Sequence, residues 1–166
     1  MRHLLTPPHL VRDLALLVTR LLLGVILMAH GWQKFSTWGL SGTAGTFKQM
    51  GVPAPQLSAA FAAVVELVGG AALILGIATP VVALLAALNM FGAYLFAHTG
   101  SGIFVKEGGW ELVGAIGAAA LTLVGAGAGR FSIDGLLGRG RTATNDARQP
   151  AAAHGATARD EDLVTR

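Results

Sequence analysis

The chain has 166 residues, 53% of them hydrophobic and 13% charged, with a formal charge of +3 and no cysteine. A soluble domain carries about 25% charged residues, so this composition excludes an ordinary soluble globule and points to a membrane protein with room for one bundle. The small charge, with no basic groove, excludes nucleic-acid binding; the lack of cysteine excludes disulfides, thiolate chemistry and Cys-ligated clusters within the chain.

Residues 1–13 form a polar arm that carries Arg2 and Arg12. The first apolar run, 14–33, is interrupted by Arg20 and lacks a small-x-small cleavage site, so a retained helix is expected rather than a signal peptide. His30 lies near its far end and shares a helical face with Lys34, four residues on. In the following loop, Gly42–Met50 suits a short surface helix that sets Phe47 and Met50 against the membrane or over a pocket as a lid. Gly51-Val-Pro-Ala-Pro55 ends it, because proline disfavours helix at the residue before it. Trp32, Trp38 and Trp110 fit an interfacial aromatic belt.

The second run, 57–78, holds Glu66 as its only ionisable residue. At 1.5 Å per residue Glu66 lies about 13–14 Å below the start of its helix. A carboxyl group at that depth is costly unless neutral, paired or wet, and marks a functional interior. Thr79-Pro80 breaks this run from the third, 81–98, making the two an antiparallel hairpin; the third carries Asn89, and Tyr94 and His98 on one face. Glu111 opens the fourth run, 111–128. Each run is near the length needed to cross about 30 Å of hydrocarbon, and only helices satisfy their own backbone there. Many of the 23 glycines lie inside these runs and are read as packing residues. The tail from residue 138 to 166 has little apolar content and is expected to be disordered.

The expected fold is therefore all-α: a bundle of four transmembrane helices over residues 14–137. Arginines flank the terminal side (Arg2, Arg12, Arg130, Arg139, Arg141), and the opposite loops hold only Lys34, Lys48 and Lys106. The positive-inside rule then puts both termini in the cytoplasm and the 34–56 and 99–110 loops outside. On that topology His30, Lys34, Glu66, Asn89, Tyr94, His98 and Glu111 gather toward the outer half as a polar pocket for a small redox or proton-carrying molecule. Histidine and carboxylate suit proton transfer because burial brings their pKa values toward neutrality. Glu66 is the candidate catalytic group. His30 and His98 as axial ligands of a haem rank below this pocket, since both lie close to the membrane surface. No helix offers ligands at i and i+4, so no metal site is expected. Arg20 is assigned a structural ion pair with Asp134, just beyond the fourth helix.

Arg20 with Gly24, His30-Gly31-Trp32-Gln33-Lys34, Phe47 and Gly51-Val-Pro53 resemble the opening of DoxX-type membrane proteins. Glu66-Leu-Val-Gly-Gly70, Leu75-Gly76 and Thr79-Pro80 resemble that family's second helix and turn; His98, Gly108-Gly109 and Glu111 are similar to its third and fourth. Gly127-Ala-Gly129-Arg130-Phe-Ser-Ile-Asp134 resembles its closing motif, with Ala128 where proline is commoner. The resemblance, over about 14–137, implies a multi-pass protein of the bacterial inner membrane. The family takes its name from a quinone-reducing thiosulfate oxidoreductase subunit, and some members belong to oxidoreductase complexes with a superoxide dismutase and a sulfurtransferase. Two readings follow. In one, the chain binds a quinone or small solute as part of a redox, oxidative-stress-related system. In the other, it is a non-catalytic anchor or assembly partner for redox-enzyme proteins. A homo-oligomer is compatible with both.

Overall fold

The computed structural model describes residues 8–137, and these fold as helices joined by short turns, with no strand among them. Most of the N-terminal arm and the tail from 138, including Arg2, Arg139 and Arg141 and the disorder expected there, lie outside the described residues.

Helix α1 runs His9–Trp32 and continues as a π-helical turn, Gln33–Thr37. The surface helix α2 spans Gly39–Gln49, starting three residues earlier than expected. Helix α3 covers Pro55–Leu75; α4 covers Thr79–Ala93 and continues as a second π turn, Tyr94–His98. Helix α5 is Glu111–Ala126. The segments His9–Thr37, Pro55–Leu75 and Thr79–His98 are long and apolar enough to cross a membrane. Helix α5, with 16 residues, rises about 24 Å and is the shorter fourth member.

The bundle is organised for lipid rather than water. Its interior is built mostly from small or medium side chains: Ala83, Ala86 and Ala87 on α4 and Ala120 on α5 meet Leu23 and Leu27 on α1 and Leu73 on α3. Large apolar groups such as Leu22, Val68, Val81 and Phe91 point outward. Small interior residues let backbones approach, the main source of helix association where the solvent is itself apolar. The closest approach is between α1 and α3. A Cβ on Gly70 would stand 2.7 Å from the Gly24 carbonyl oxygen and 2.9 Å from the Met28 nitrogen; one on Gly31 would stand 2.5 Å from the Leu67 nitrogen.

The hairpin turn between α3 and α4 has an unexpected construction. Gly76 ends α3 in the left-handed region (φ +70°), its N–H donating to the Leu73 carbonyl (3.1 Å) and the Ile77 N–H to Ala72 (2.9 Å), a Schellman ending. Ala78 is also left-handed (φ 47°), a conformation costing a residue with a Cβ about 1–2 kcal/mol. What holds it is Asp134, 55 residues beyond Thr79: its two carboxylate oxygens accept from the Ala78 and Thr79 N–H groups, both at 2.8 Å, and its own N–H donates to the Gly76 carbonyl at 2.9 Å. Asp134 thus caps α4 from outside that helix, satisfying donors that the first turn cannot satisfy itself.

Arg20 and Asp134 make no direct salt bridge among the described residues: the Asp134 carboxylate accepts from backbone N–H groups, while its charge still acts on Arg20 through space. Arg20, fully buried, donates from Nη2 to the Phe131 carbonyl. The segment that carries Phe131 is held to α1 as well, where the Arg130 N–H donates to Asp13 Oδ1 at 3.2 Å. Asp134→Ala is expected to lower stability by about 1–2 kcal/mol, the scale of a lost N-cap, read as a shifted midpoint in denaturant unfolding from mixed micelles.

Candidate functional site

At the end of the bundle covered by α2, a cavity of about 760 Å³ opens between α2, α3 and α4. Its floor is polar. Glu66, 3% exposed on α3, accepts from Lys34 Nζ at Oε2 (2.6 Å) and from Asn89 Nδ2 at Oε1 (2.9 Å). Three segments thus converge on one carboxylate: the first π turn brings Lys34, α3 brings Glu66 and α4 brings Asn89. Lys34 is 14% exposed on its side chain. A charge pair in so dry a setting persists only when its remaining hydrogen-bonding capacity is used, and Asn89 meets that need on the carboxylate side. The ammonium has three N–H groups; one goes to Glu66, and no other acceptor for it occurs among the described residues.

The walls are mainly apolar. Trp38, Phe47, Met50, Phe61, Leu88 and Phe96 line them, with Thr43, Thr46, Ser58 and His98 as scattered polar groups. Helix α2 is the roof: Thr43, Phe47 and Met50, spaced i, i+4 and i+7, all face the cavity. Thr43 Oγ1 donates to the Gly39 carbonyl at 3.0 Å. The lid position anticipated for Phe47 and Met50 is where these side chains sit.

The other anticipated residues divide. His98 lines the cavity, and its Nδ1–H donates to the Gly108 carbonyl at 2.7 Å. This tautomer, set because a carbonyl only accepts, leaves Nε2 of the neutral ring as an acceptor. His30 does not line the cavity. Gly31 packs on Leu67, while the α3 residues of the cavity, from Ser58 to Glu66, all precede Leu67. His30 therefore falls below the floor, and it shares no cavity with His98. Glu111 is used elsewhere: Oε1 accepts from the Val105 N–H at 2.8 Å and closes the 99–110 loop. Tyr94 turns to the opposite face of α4. There it meets Trp110 edge-on, with centroids 6.2 Å apart and planes at 83°, over a second, apolar cavity of about 470 Å³ between α4 and α5.

Sequence reasoning missed Thr43, Ser58 and Phe96 as lining residues, and the two π turns. The i, i+4, i+7 stripe on α2 is the signal that would have found Thr43. The π turns leave no sequence signature, although such turns recur at functional sites; each here bears a lining residue, Lys34 in one and His98 in the other.

Comparison with known proteins bears on the same region. The family model described as DoxX matches residues 15–99, which include all three floor residues. "Uncharacterized membrane protein Rv3486" of Mycobacterium tuberculosis is 33% identical over 134 residues, covering 75% of this chain and 82% of that protein. "Putative oxidoreductase CatD" of Bacillus subtilis is 35% identical over 83 residues, covering 50% of this chain and 59% of that one. No solved structure matches.

Proposed function

Given that this chain belongs to the DoxX family of membrane proteins, we propose that it is a membrane-embedded component of a redox system that binds a quinone or small polar solute on the Lys34–Glu66–Asn89 floor. The observation that carries this reading is a buried, internally neutral charge pair at the base of a large, mostly apolar cavity. An anion placed there would add net charge to a dry site, at a cost of several kcal/mol. A neutral head with carbonyl acceptors adds none and takes up free Lys34 N–H groups. A quinone has that chemistry. Its reduction takes two electrons and two protons. Glu66 and His98 are groups that can hold and pass protons to a carbonyl oxygen, and the electrons come from a partner oxidoreductase. The relative named as an oxidoreductase agrees with such a setting.

In this reading the protein lies in the cytoplasmic (inner) membrane of a bacterium, with the arginine-bearing side inward and the cavity end outward. The test is the quinone content of protein purified in mild detergent, with added ubiquinone titrated into the delipidated sample. Wild type is expected to bind, and Glu66→Gln to bind about tenfold more weakly, the scale of one hydrogen bond between charged and neutral groups. Equal binding by Glu66→Gln would remove Glu66 from the site.

A second reading, an assembly partner for a redox enzyme, is favoured by one feature. Ile103, Phe104 and Val105 expose large apolar side chains together on the 99–110 loop. A stoichiometric protein that co-purifies with Glu66→Gln and is lost on Phe104→Asp would support that role.

A further inference from the structure

The cavity is not closed on the side facing lipid, and this bears on how the site is reached. Leu88 and Phe61 line the cavity and are 55% and 45% exposed; Leu88 also falls, at helical spacing, on the exposed outward stripe Val81, Leu84, Phe91 and Leu95, none of which lines the cavity. Side chains that belong at once to a cavity wall and to the lipid-facing surface mark the edges of an opening. Leu88 lies near the middle of the Thr79–His98 segment, so the opening lies at hydrocarbon depth and not at the headgroups. Above it on α4, Gly92 lines the cavity, and a Cβ there would meet nothing within 4 Å. Ala62 on α3 with Gly92 and Ala93 on α4 line the cavity above the Asn89–Glu66 bridge, and their short or absent side chains leave that space unfilled. From the other direction the cavity is roofed by α2 through Thr43, Phe47 and Met50.

Building on the proposed quinone-type site, we infer that its occupant is a long-tailed, neutral-headed lipid that enters sideways from the bilayer between α3 and α4. Its head rests on Lys34 and Glu66, and its tail leaves through the gap bounded by Phe61, Leu88 and Gly92. Three observations fit together here. The head site is internally neutral, so it takes an uncharged head without a change in net charge. The walls from floor to gap are apolar, so a hydrocarbon tail loses no hydrogen bonds in them. The gap opens where hydrocarbon already is, so a tail that projects through it exchanges one apolar environment for another. A small water-soluble solute would have no use for such an opening.

The test compares two ubiquinones, one with a single isoprene unit and one with a full polyprenyl tail, binding to the full chain in lipid nanodiscs. Wild type, Gly92→Leu, Leu88→Trp and Glu66→Gln are measured, each checked by circular dichroism to be folded at the binding temperature. Gly92→Leu and Leu88→Trp place bulk in the gap, at a position with no Cβ neighbour and at a lipid-facing position. Both are expected to weaken the long-tailed quinone by about tenfold or more while leaving the short one within about twofold. Glu66→Gln weakens both. If the gap variants bind both quinones as wild type does, or lose both alike, the lateral route is wrong while the Glu66 site stands. If wild type binds neither, the quinone reading itself fails and takes the route with it.

Discussion

Glu66→Ala is expected to destabilise the bundle by about 3–5 kcal/mol, because it leaves the Lys34 ammonium buried without its counter-charge. The Lys34–Glu66 contact is 2.6 Å with side chains only 14% and 4% exposed, so water cannot easily replace the lost partner. Asn89 would lose its acceptor at the same time. The double change Lys34→Met with Glu66→Leu should recover most of that stability, since apolar groups of similar size are often neutral or better in place of a buried pair. It should not recover ligand binding, because the head site is then gone. Equilibrium unfolding in mixed micelles, run beside quinone titration, separates the two effects. A double variant that stays as unstable as Glu66→Ala would show that the pair does not account for the loss.

The second large effect is expected at the α1–α3 seam. Gly70→Leu sets a side chain against backbone, 2.7 Å from the Gly24 carbonyl and 2.9 Å from the Met28 nitrogen at its Cβ alone. Rotamer changes cannot relieve a clash made by Cβ, so the helices must part along their tightest contact. A loss of about 3 kcal/mol or more is expected, at the upper end of overpacking costs. Even Gly70→Ala should be harmful. Gly92→Ala is the matched control: its Cβ meets open space, and removing a glycine from a helix interior should gain about 0.5–1 kcal/mol. Thermal unfolding of the three variants in one detergent gives the comparison; equal stabilities for Gly70→Ala and Gly92→Ala would mean that the seam relaxes freely.

The bundle was legible because apolar run length is a direct physical signal in lipid. Glu66 stood out for the same reason: a lone carboxyl deep in such a run needs a partner. The identity of that partner was harder. Lys34 was grouped with the pocket but not paired with Glu66; its long stem reaches the carboxylate from the π turn after α1, and the Gly31–Leu67 register that sets this reach is a property of two packed helices. The same register drops His30 below the floor. Tyr94 and Glu111 were grouped with the pocket by depth alone. Depth does not say which way a side chain faces around its helix, and both face away. The Arg20–Asp134 pairing followed from charge complementarity. The carboxylate instead meets the two backbone N–H groups that the left-handed turn at Ala78 offers side by side, and the Arg20 charge acts on it only through space.

That turn has a consequence for the order in which the protein is made. The α3–α4 hairpin looks local, yet the residue that fixes it is supplied only after α5 has been synthesised. A nascent chain ending between residues 99 and 133 would contain every long apolar helix and still carry an unlatched hairpin. Maturation is therefore gated from the C-terminal side: insertion of the helices precedes, and does not by itself complete, the native arrangement.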